Sequence, residues 1–280
     1  MKFCPIHIWY AFSLRPAGQH KRNVLRLAAA AGFLLCLGAV GFACGQNLFA
    51  AQQSVVNALP APYPLQTRPP YTVALDPGHG GMDLGAEALV NEVEVCEKTT
   101  DDLYALLDAD PNYRPVRTRE NGEDRSTSDR AQTATDNRAS LLLSIHANCD
   151  RSTRQSHGFE CFPTPPGRRY SEESMRFAQC IVVKMKAAGH RLHGETGIRF
   201  AYYSGKSKRI VPSSDTRVRS QKSFGMVEKP ACPAVLAEQC FLTNYKDVEN
   251  WASEAGCQKA ATVYYRAICA YFGTAPMPLT

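Results

Sequence analysis

Three apolar runs of this 280-residue chain end in a side chain able to bind a metal or move a proton. His79 follows Tyr71–Leu75, His146 follows Leu141–Ile145, and Glu238 follows Ala234–Ala237. The first lies in the turn Asp76-Pro77-Gly78-His79-Gly80-Gly81, whose glycines let the backbone bend sharply and pass close to whatever the imidazole holds. Two imidazoles plus a carboxylate form a usual catalytic zinc set with one position open for water, and a second carboxylate can act as the base on that water. A single His ending a strand is more often a hydrogen-bonded structural residue. It is the repetition of the pattern that points to a cleft.

Such groups need rigid elements behind them. Tyr71–Leu75 reads as a short strand closed by the glycine-rich turn, and Val95, Thr99, Leu103, Leu106 and Leu107 recur at helical spacing over about 92–109, where Pro111 stops the helix. Further strands are expected at Arg114–Thr118, at Leu141–Ile145, which is apolar throughout as a buried strand is, at Gly158–Pro163 and at Ala234–Glu238. Helices are expected over Ser126–Ala139, over Ser171–Ala188 with a Ser171/Ser174 cap region, over Val248–Trp251 and over Lys259–Phe272. Ser204–Lys208 and Pro212–Ser223 read as polar loops. Strands alternating with helices give an α/β fold: a single domain with a mostly parallel twisted sheet flanked by helices, whose sites gather at strand ends.

Other polar residues have plainer readings. His190 and His193, three apart at the end of a helix, imitate a metal pair but read as surface residues at a helix C-terminus. His157 reads as a loop residue, and Glu160 lies in a strand running past the site, where it serves either structure or substrate contact.

The formal charge of +6 invites a nucleic-acid or anionic-surface reading, but its placement removes it. All 26 acidic residues and 26 of the 32 bases lie from Asp76 onward, so that region is balanced and nucleic acid is not an expected partner. The excess comes from Lys2, Arg15, Lys21, Arg22, Arg26 and Arg68. Lys21-Arg22 and Arg26 lead into Leu27–Cys44, 18 residues without a charge, which is the arrangement of an export signal and just long enough to stay as an anchor. Residues 1–50 therefore read as a signal peptide or N-terminal anchor, with residues 24–44 as the membrane-contacting stretch, and residues 51–70 as a Pro-rich linker. The folded domain is expected at 71–273, followed by a tail at 274–280. Gly41-Phe42-Ala43 before Cys44 offers small residues for cleavage, and Cys44 raises lipidation. Beyond it, Cys96, Cys149, Cys161, Cys180, Cys232, Cys240, Cys257 and Cys269 permit disulfides in an exported chain without fixing any pairing, and no C-x-x-C pair suggests a zinc ribbon.

Asp76 through Ala86, Thr118-Arg119, Leu143-Ser144-Ile145-His146-Ala147-Asn148 and Leu236 through Asn244, taken in that order, resemble the zinc-dependent N-acetylmuramoyl-L-alanine amidases of bacterial cell walls over about residues 71–272. The resemblance implies Zn2+ as cofactor, with His79 and His146 as ligands and Glu238 as the catalytic residue. A Glu opening the first helix completes the ligand set in that family. Counting from the helix start and on to Thr118-Arg119 favours Glu92, while Glu97-Lys98 reproduces a Glu-Lys pair often seen at the ligand, and Glu94 fits the spacing too. Gln239-Cys240 stand where Thr-Gly often follows the catalytic Glu, a departure that would reshape the cleft floor. Ala134-Thr135 stand where Ala-Asn is frequent, with Arg130 kept four residues before.

The activity so implied is hydrolysis of the amide between N-acetylmuramic acid and L-alanine of peptidoglycan, in cell-wall remodelling or septum splitting, in the periplasm or cell envelope. Peptidoglycan is the expected substrate and an activator protein an admissible partner, with membrane contact only through residues 1–50. The rival readings are a non-catalytic peptidoglycan-binding envelope protein and a zinc peptidase acting on stem peptides.

Overall fold

Short apolar strands buried on both faces decide how the chain layers. The computed structural model describes residues 68–278. The export segment and all but the last residues of the Pro-rich linker lie outside the described residues. Among those described, no helix is long and apolar enough to cross a membrane. The strands are β1 (Tyr71–Pro77), β2 (Tyr113–Arg117), β3 (Leu141–Asn148), β4 (Glu160–Pro163), β5 (Arg199–Ser204), β6 (Ser207–Pro212) and β7 (Ala234–Phe241). The helices are α1 (Glu92–Asp108), α2 (Thr127–Asp136), α3 (Ser171–Ala187), α4 (Gly225–Glu228), α5 (Tyr245–Trp251) and α6 (Glu254–Phe272).

Five strands form one sheet in the order β2-β1-β3-β7-β4, parallel except for β4, which runs antiparallel to β7. The expected mostly parallel sheet is therefore present. From β1 the chain crosses to β2 on one side and then returns to β3 on the other, so the order reverses between β1 and β3. Such a reversal leaves a crevice at the carboxyl ends of the strands. His79 and His146 stand at that crevice.

Side chains alternate across the sheet. Val73, Leu75, Leu143, Ile145, Val235 and Ala237 join Leu103, Leu107, Phe177, Ile181, Tyr264 and Ile268 in the larger core, beneath α1, α3 and α6. Ala74, Leu142 and Leu236 join Ala131, Ala134, Met226 and Val227 in a smaller core beneath α2 and α4. By the same period of two, Asp76, Ser144, His146 and Glu238 fall on this second face. Its helices have only 10 and 4 residues, and they leave the strand ends accessible.

Asp76 ties this face together. Its buried carboxylate accepts hydrogen bonds from Thr118 Oγ1, from Ser144 Oγ at 2.6 Å and from Arg130 Nη1 at 2.9 and 3.1 Å. One residue of β1 thereby joins the end of β2, the middle of β3 and helix α2.

Three local expectations need correction. The supposed loop Ser204–Lys208 is the tip of an antiparallel hairpin, β5–β6, turned at Gly205 (φ 58°), whereas Pro212–Ser223 has no helix or strand beyond Pro212, as expected. The hairpin's inner face is fixed by tertiary packing of Ala201 and Ile210 on the smaller core, which no local pattern announces. Helix α3 is not started by a Ser cap: Tyr170 precedes it in the left-handed region (φ 62°), while Ser174 turns inward to bond Thr164 Oγ1 and the amide of Ala234. His190 is no surface residue either. It is 4% exposed, stacks on Trp251 with ring centroids 3.9 Å apart, and bonds the carbonyl of Gln239 through Nε2 at 2.8 Å. His193 is half-buried, with Nδ1 3.1 Å from the carbonyl of His157. The eight cysteines beyond Cys44 are all free thiols, and all but Cys149 are buried.

Two outcomes follow. Asp76→Ala leaves the Arg130 guanidinium buried without its carboxylate and is expected to cost about 3–5 kcal/mol in denaturant unfolding, whereas Met82→Ala, at a side chain 93% exposed, stays within about 0.5 kcal/mol. Burial lowers the pKa of His190 to about 4. The unfolded chain thus binds a proton there near pH 6.5 while the folded chain does so only near 4. Stability from this group is complete above pH 6.5 and is lost as the pH falls from 6.5 to 4, by roughly 1.4 kcal/mol per unit. Urea unfolding across that window is expected to show this slope, and His190→Gln to flatten it.

Candidate metal centre and cleft

The acidic residues that open α1 suit the positive end of its dipole, but only Glu92 turns inward. Glu92 is 6% exposed. Its Oε1 lies 2.9 Å from His79 Nε2 and 3.0 Å from His146 Nδ1, and it accepts the amide of Ala147 at 3.1 Å. Its Oε2 accepts the amide of Ala86 at 2.9 Å. His79, Glu92 and His146 each offer one ligand atom, all within 4.8 Å of one another, and they form the one such group among the described residues.

The alternatives for the Glu have other tasks. Glu97 pairs with Arg119 Nη1 at 2.6 Å and accepts the amide of Gly122 at 2.8 Å. Glu94 accepts from Asn91 Nδ2 at the exposed helix start. Geometry therefore brings Glu92 to the two imidazoles and leaves Glu94 and Glu97 away from them.

The turn that carries His79 is held on both sides. Arg119, 1% exposed, donates through Nε to the carbonyl of Pro77 and through Nη2 to the carbonyl of Gly78, and Arg130 also reaches the Pro77 carbonyl. His79 itself adopts a left-handed backbone (φ 64°), which a non-glycine residue keeps only where its surroundings enforce it. A Cβ on Gly78 would stand 2.4 Å from the His146 ring, and one on Gly85 would stand 2.7 Å from both Glu92 Oε2 and the His79 ring. The two glycines thus form a cradle that any side chain would fill.

Behind His79, Asp83 Oδ2 lies 2.9 Å from Nδ1, while Asp83 Oδ1 accepts the amide of Gly85. A carboxylate on the far nitrogen fixes the tautomer and the ring orientation and leaves Nε2 facing Glu92. Burial alone would lower the proton affinity of His79, but hydrogen bonds to Glu92 and Asp83 and their charges outweigh it and raise its pKa to about 9. Burial would raise the Glu92 pKa, yet the two imidazoles hold it well below the usual carboxylate range. A place that draws a proton so strongly also draws a cation. Two imidazoles, one buried carboxylate and an orienting acid fit a zinc ion with three protein ligands.

Glu238 lies beside His146 as its register partner on β7. Burial, followed by the charges of Glu92 and Glu160, raises its pKa to about 8, and its buried Oε2 has no hydrogen-bond partner. Glu160 stands opposite it on β4, held by Arg199 at 2.8 Å and by Asn148. His79, Asp83, Glu92, His146 and Glu238 share a cleft of about 440 Å³, completed by Lys208 of the hairpin and by Phe224, Gly225 and Met226. Gln239 and Cys240 do not reshape its floor: neither lines it, and Gln239 points to the other side of the sheet, where it donates to the carbonyl of Trp251 at 2.6 Å. His157, His190 and His193 lie outside the cleft. Asp83 and Lys208 were not singled out from the sequence. The spacing of Asp83 four residues after His79 is a signal for the former, but the hairpin carrying Lys208 has none.

Residues 73–270 match the family model for N-acetylmuramoyl-L-alanine amidase. A probable N-acetylmuramoyl-L-alanine amidase AmiB of Haemophilus influenzae is 26% identical over 228 residues, covering 72% of this chain and 52% of the relative. The chain thus spans about half the length of that curated relative. The catalytic domain of the amidase CwlV from Bacillus (Paenibacillus) polymyxa superposes with a TM-score of 0.59 at 22% identity, covering 73% of this chain and 99% of the other. The CwlD amidase of Clostridioides difficile, solved in complex with the GerS lipoprotein, gives 0.55 at 21% identity and covers 72% and 98%.

Calorimetric titration with zinc is expected to show one site in the full chain. Glu92→Gln should abolish it, Glu94→Gln and Glu97→Gln should keep it, and Asp83→Asn should weaken it roughly 10–100-fold through loss of the support behind His79.

Proposed function

The chain belongs to the N-acetylmuramoyl-L-alanine amidase family, and from that premise and the cleft geometry we propose that it hydrolyses the amide between N-acetylmuramic acid and L-alanine of peptidoglycan. The observation that carries the reading is the placement of Glu238, a protonatable acid with an unpartnered oxygen, beside the cluster His79–Glu92–His146 in one cleft. A binding module has no need of such a base.

The residues that would hold zinc are His79, Glu92 and His146. The chemistry a bound zinc supplies is Lewis-acid polarisation of the scissile carbonyl and acidification of water toward neutral pH. Glu238 takes the proton of the attacking water and passes it to the leaving amine of L-alanine. A pKa raised by burial and by its acidic neighbours suits this exchange, since the group must give the proton back. Asp83 keeps the His79 ring aligned, and Arg119 and Arg130 hold the turn rigid while substrate enters.

The setting is cell-wall remodelling or septum splitting outside the cytoplasm, in the periplasm or envelope, with residues 1–50 delivering or anchoring the domain. The family supports this placement. The solved complex of the Clostridioides difficile relative with a lipoprotein supports a protein partner for this chain as well.

With purified peptidoglycan and added zinc, the full chain is expected to release intact stem peptides with free L-alanine amino groups, identified by mass spectrometry. Glu238→Gln should lower kcat by about 10²–10⁴ while keeping zinc stoichiometry, and a chelator should stop the reaction. Fragments cut within the stem peptide would instead mark a peptidase, and turnover that survives both Glu238→Gln and the chelator would contradict the mechanism.

A further inference from the structure

The cleft has two unlike walls. On the β1 side stand His79, Asp83 and Glu92, while His146 and Glu238 lie between the walls on β3 and β7. The other wall comes from the hairpin beyond β4, which continues the sheet edge through the bridge between Cys161 and Ile198. Alternation along the hairpin sorts its side chains. Phe200, Tyr202 and Val211 form a small outer core, whereas the cross-strand pair Ala201 and Ile210 packs on the inner one. The next pair on that inner face, Tyr203 and Lys208, runs on to the cleft rim.

Lys208 is held there by aromatic rings. Its Nζ lies 5.6 Å from the Phe224 ring centre, and Phe224 is itself wedged edge-on between Phe162 at 5.2 Å and Tyr203 at 5.7 Å. The other cation lining the cleft, Arg130, is committed to Asp76. Lys208 makes no ion pair among the described residues, and its charge acts across the cleft on Glu238, whose carboxylate form it favours. A long exposed lysine with no acidic partner is unremarkable on an open surface. At the mouth of a cleft whose other cation, Arg130, is already tied to Asp76, it is the group that would attract an anionic part of the substrate.

We propose that Lys208 is a specificity residue that receives the free carboxylate of the stem-peptide residue following the alanine of the scissile bond. The proposal rests on the peptidoglycan reading above and adds which part of the peptide is recognised. A glutamyl residue joined through its side-chain carboxyl keeps a free α-carboxylate, and amidation removes that charge while preserving its shape. On the β1 side the same carboxylate would meet Asp83 and Glu92, so the hairpin wall is the side that accepts it. Phe224 supplies an apolar surface beside the ammonium and keeps it from folding away.

The test uses the full zinc-loaded chain and two soluble muramoyl peptides that differ only in a free α-carboxylate or an α-carboxamide at that residue. Wild type is expected to favour the carboxylate about tenfold in kcat/KM, expressed in KM. In Lys208→Met the ratio should fall to near one, and in Lys208→Arg it should persist. Equal use of both peptides by wild type, or a preference retained in Lys208→Met, overturns the proposal. Failure to cleave either peptide refutes the amidase reading itself, and the proposal with it.

Discussion

One carboxylate shared by two imidazoles sets the terms for the rest of this domain. Glu92 is nearly out of reach of water, and its charge is sustained by His79, His146 and the amides of Ala86 and Ala147. A buried charge left without such partners is costly, so each partner must be delivered by a rigid element. β1 and β3 deliver the imidazoles from adjacent strands, and α1 delivers the carboxylate from its first turn. The reversal of strand order between β1 and β3 leaves the space in which the three meet.

The demand passes outward through the fold. His79 holds a left-handed backbone because Arg119 and Arg130 take the carbonyls of Pro77 and Gly78, and Arg130 is anchored in turn by Asp76. Glycine at 78 and 85 follows from crowding by the His146 ring and by Glu92, not from turn preference alone. The short helices α2 and α4 leave one face of the sheet open at the strand ends, while the long α1, α3 and α6 close the other. Electrostatics follow the same division. Imidazoles draw the Glu92 pKa down, while burial and two acidic neighbours push Glu238 up, so neighbouring carboxylates favour different protonation states.

Much of this was legible in the sequence because the central strands are fully buried and read as unbroken apolar runs, with their functional residues at the ends. The Asp76–Gly81 turn, His146 and Glu238 could be located from that pattern, and α1 from its spacing of Val95, Thr99, Leu103 and Leu107. What stayed open depended on direction in space. Glu92, Glu94 and Glu97 have the same local chemistry at one helix start, and only the fold shows that Glu97 faces Arg119. The hairpin that carries Lys208 takes its order from Ala201 and Ile210 packing on the smaller core and from Tyr203 against Phe224, contacts made outside its own two strands. His190 looked like a surface residue because helix ends are commonly exposed, yet Trp251 covers it from a helix some sixty residues later.

The central claim is that two imidazoles and the Glu92 carboxylate make up the protein's share of a zinc site. X-ray absorption at the zinc edge of the loaded full chain tests it directly. The account predicts a shell of nitrogen and oxygen alone at about 2.0–2.2 Å, with outer scattering from two imidazole rings. Cys149, the partly exposed thiol that also lines the cleft, offers the contrasting outcome. A sulfur scatterer at about 2.3 Å, or one imidazole in place of two, would contradict the assignment.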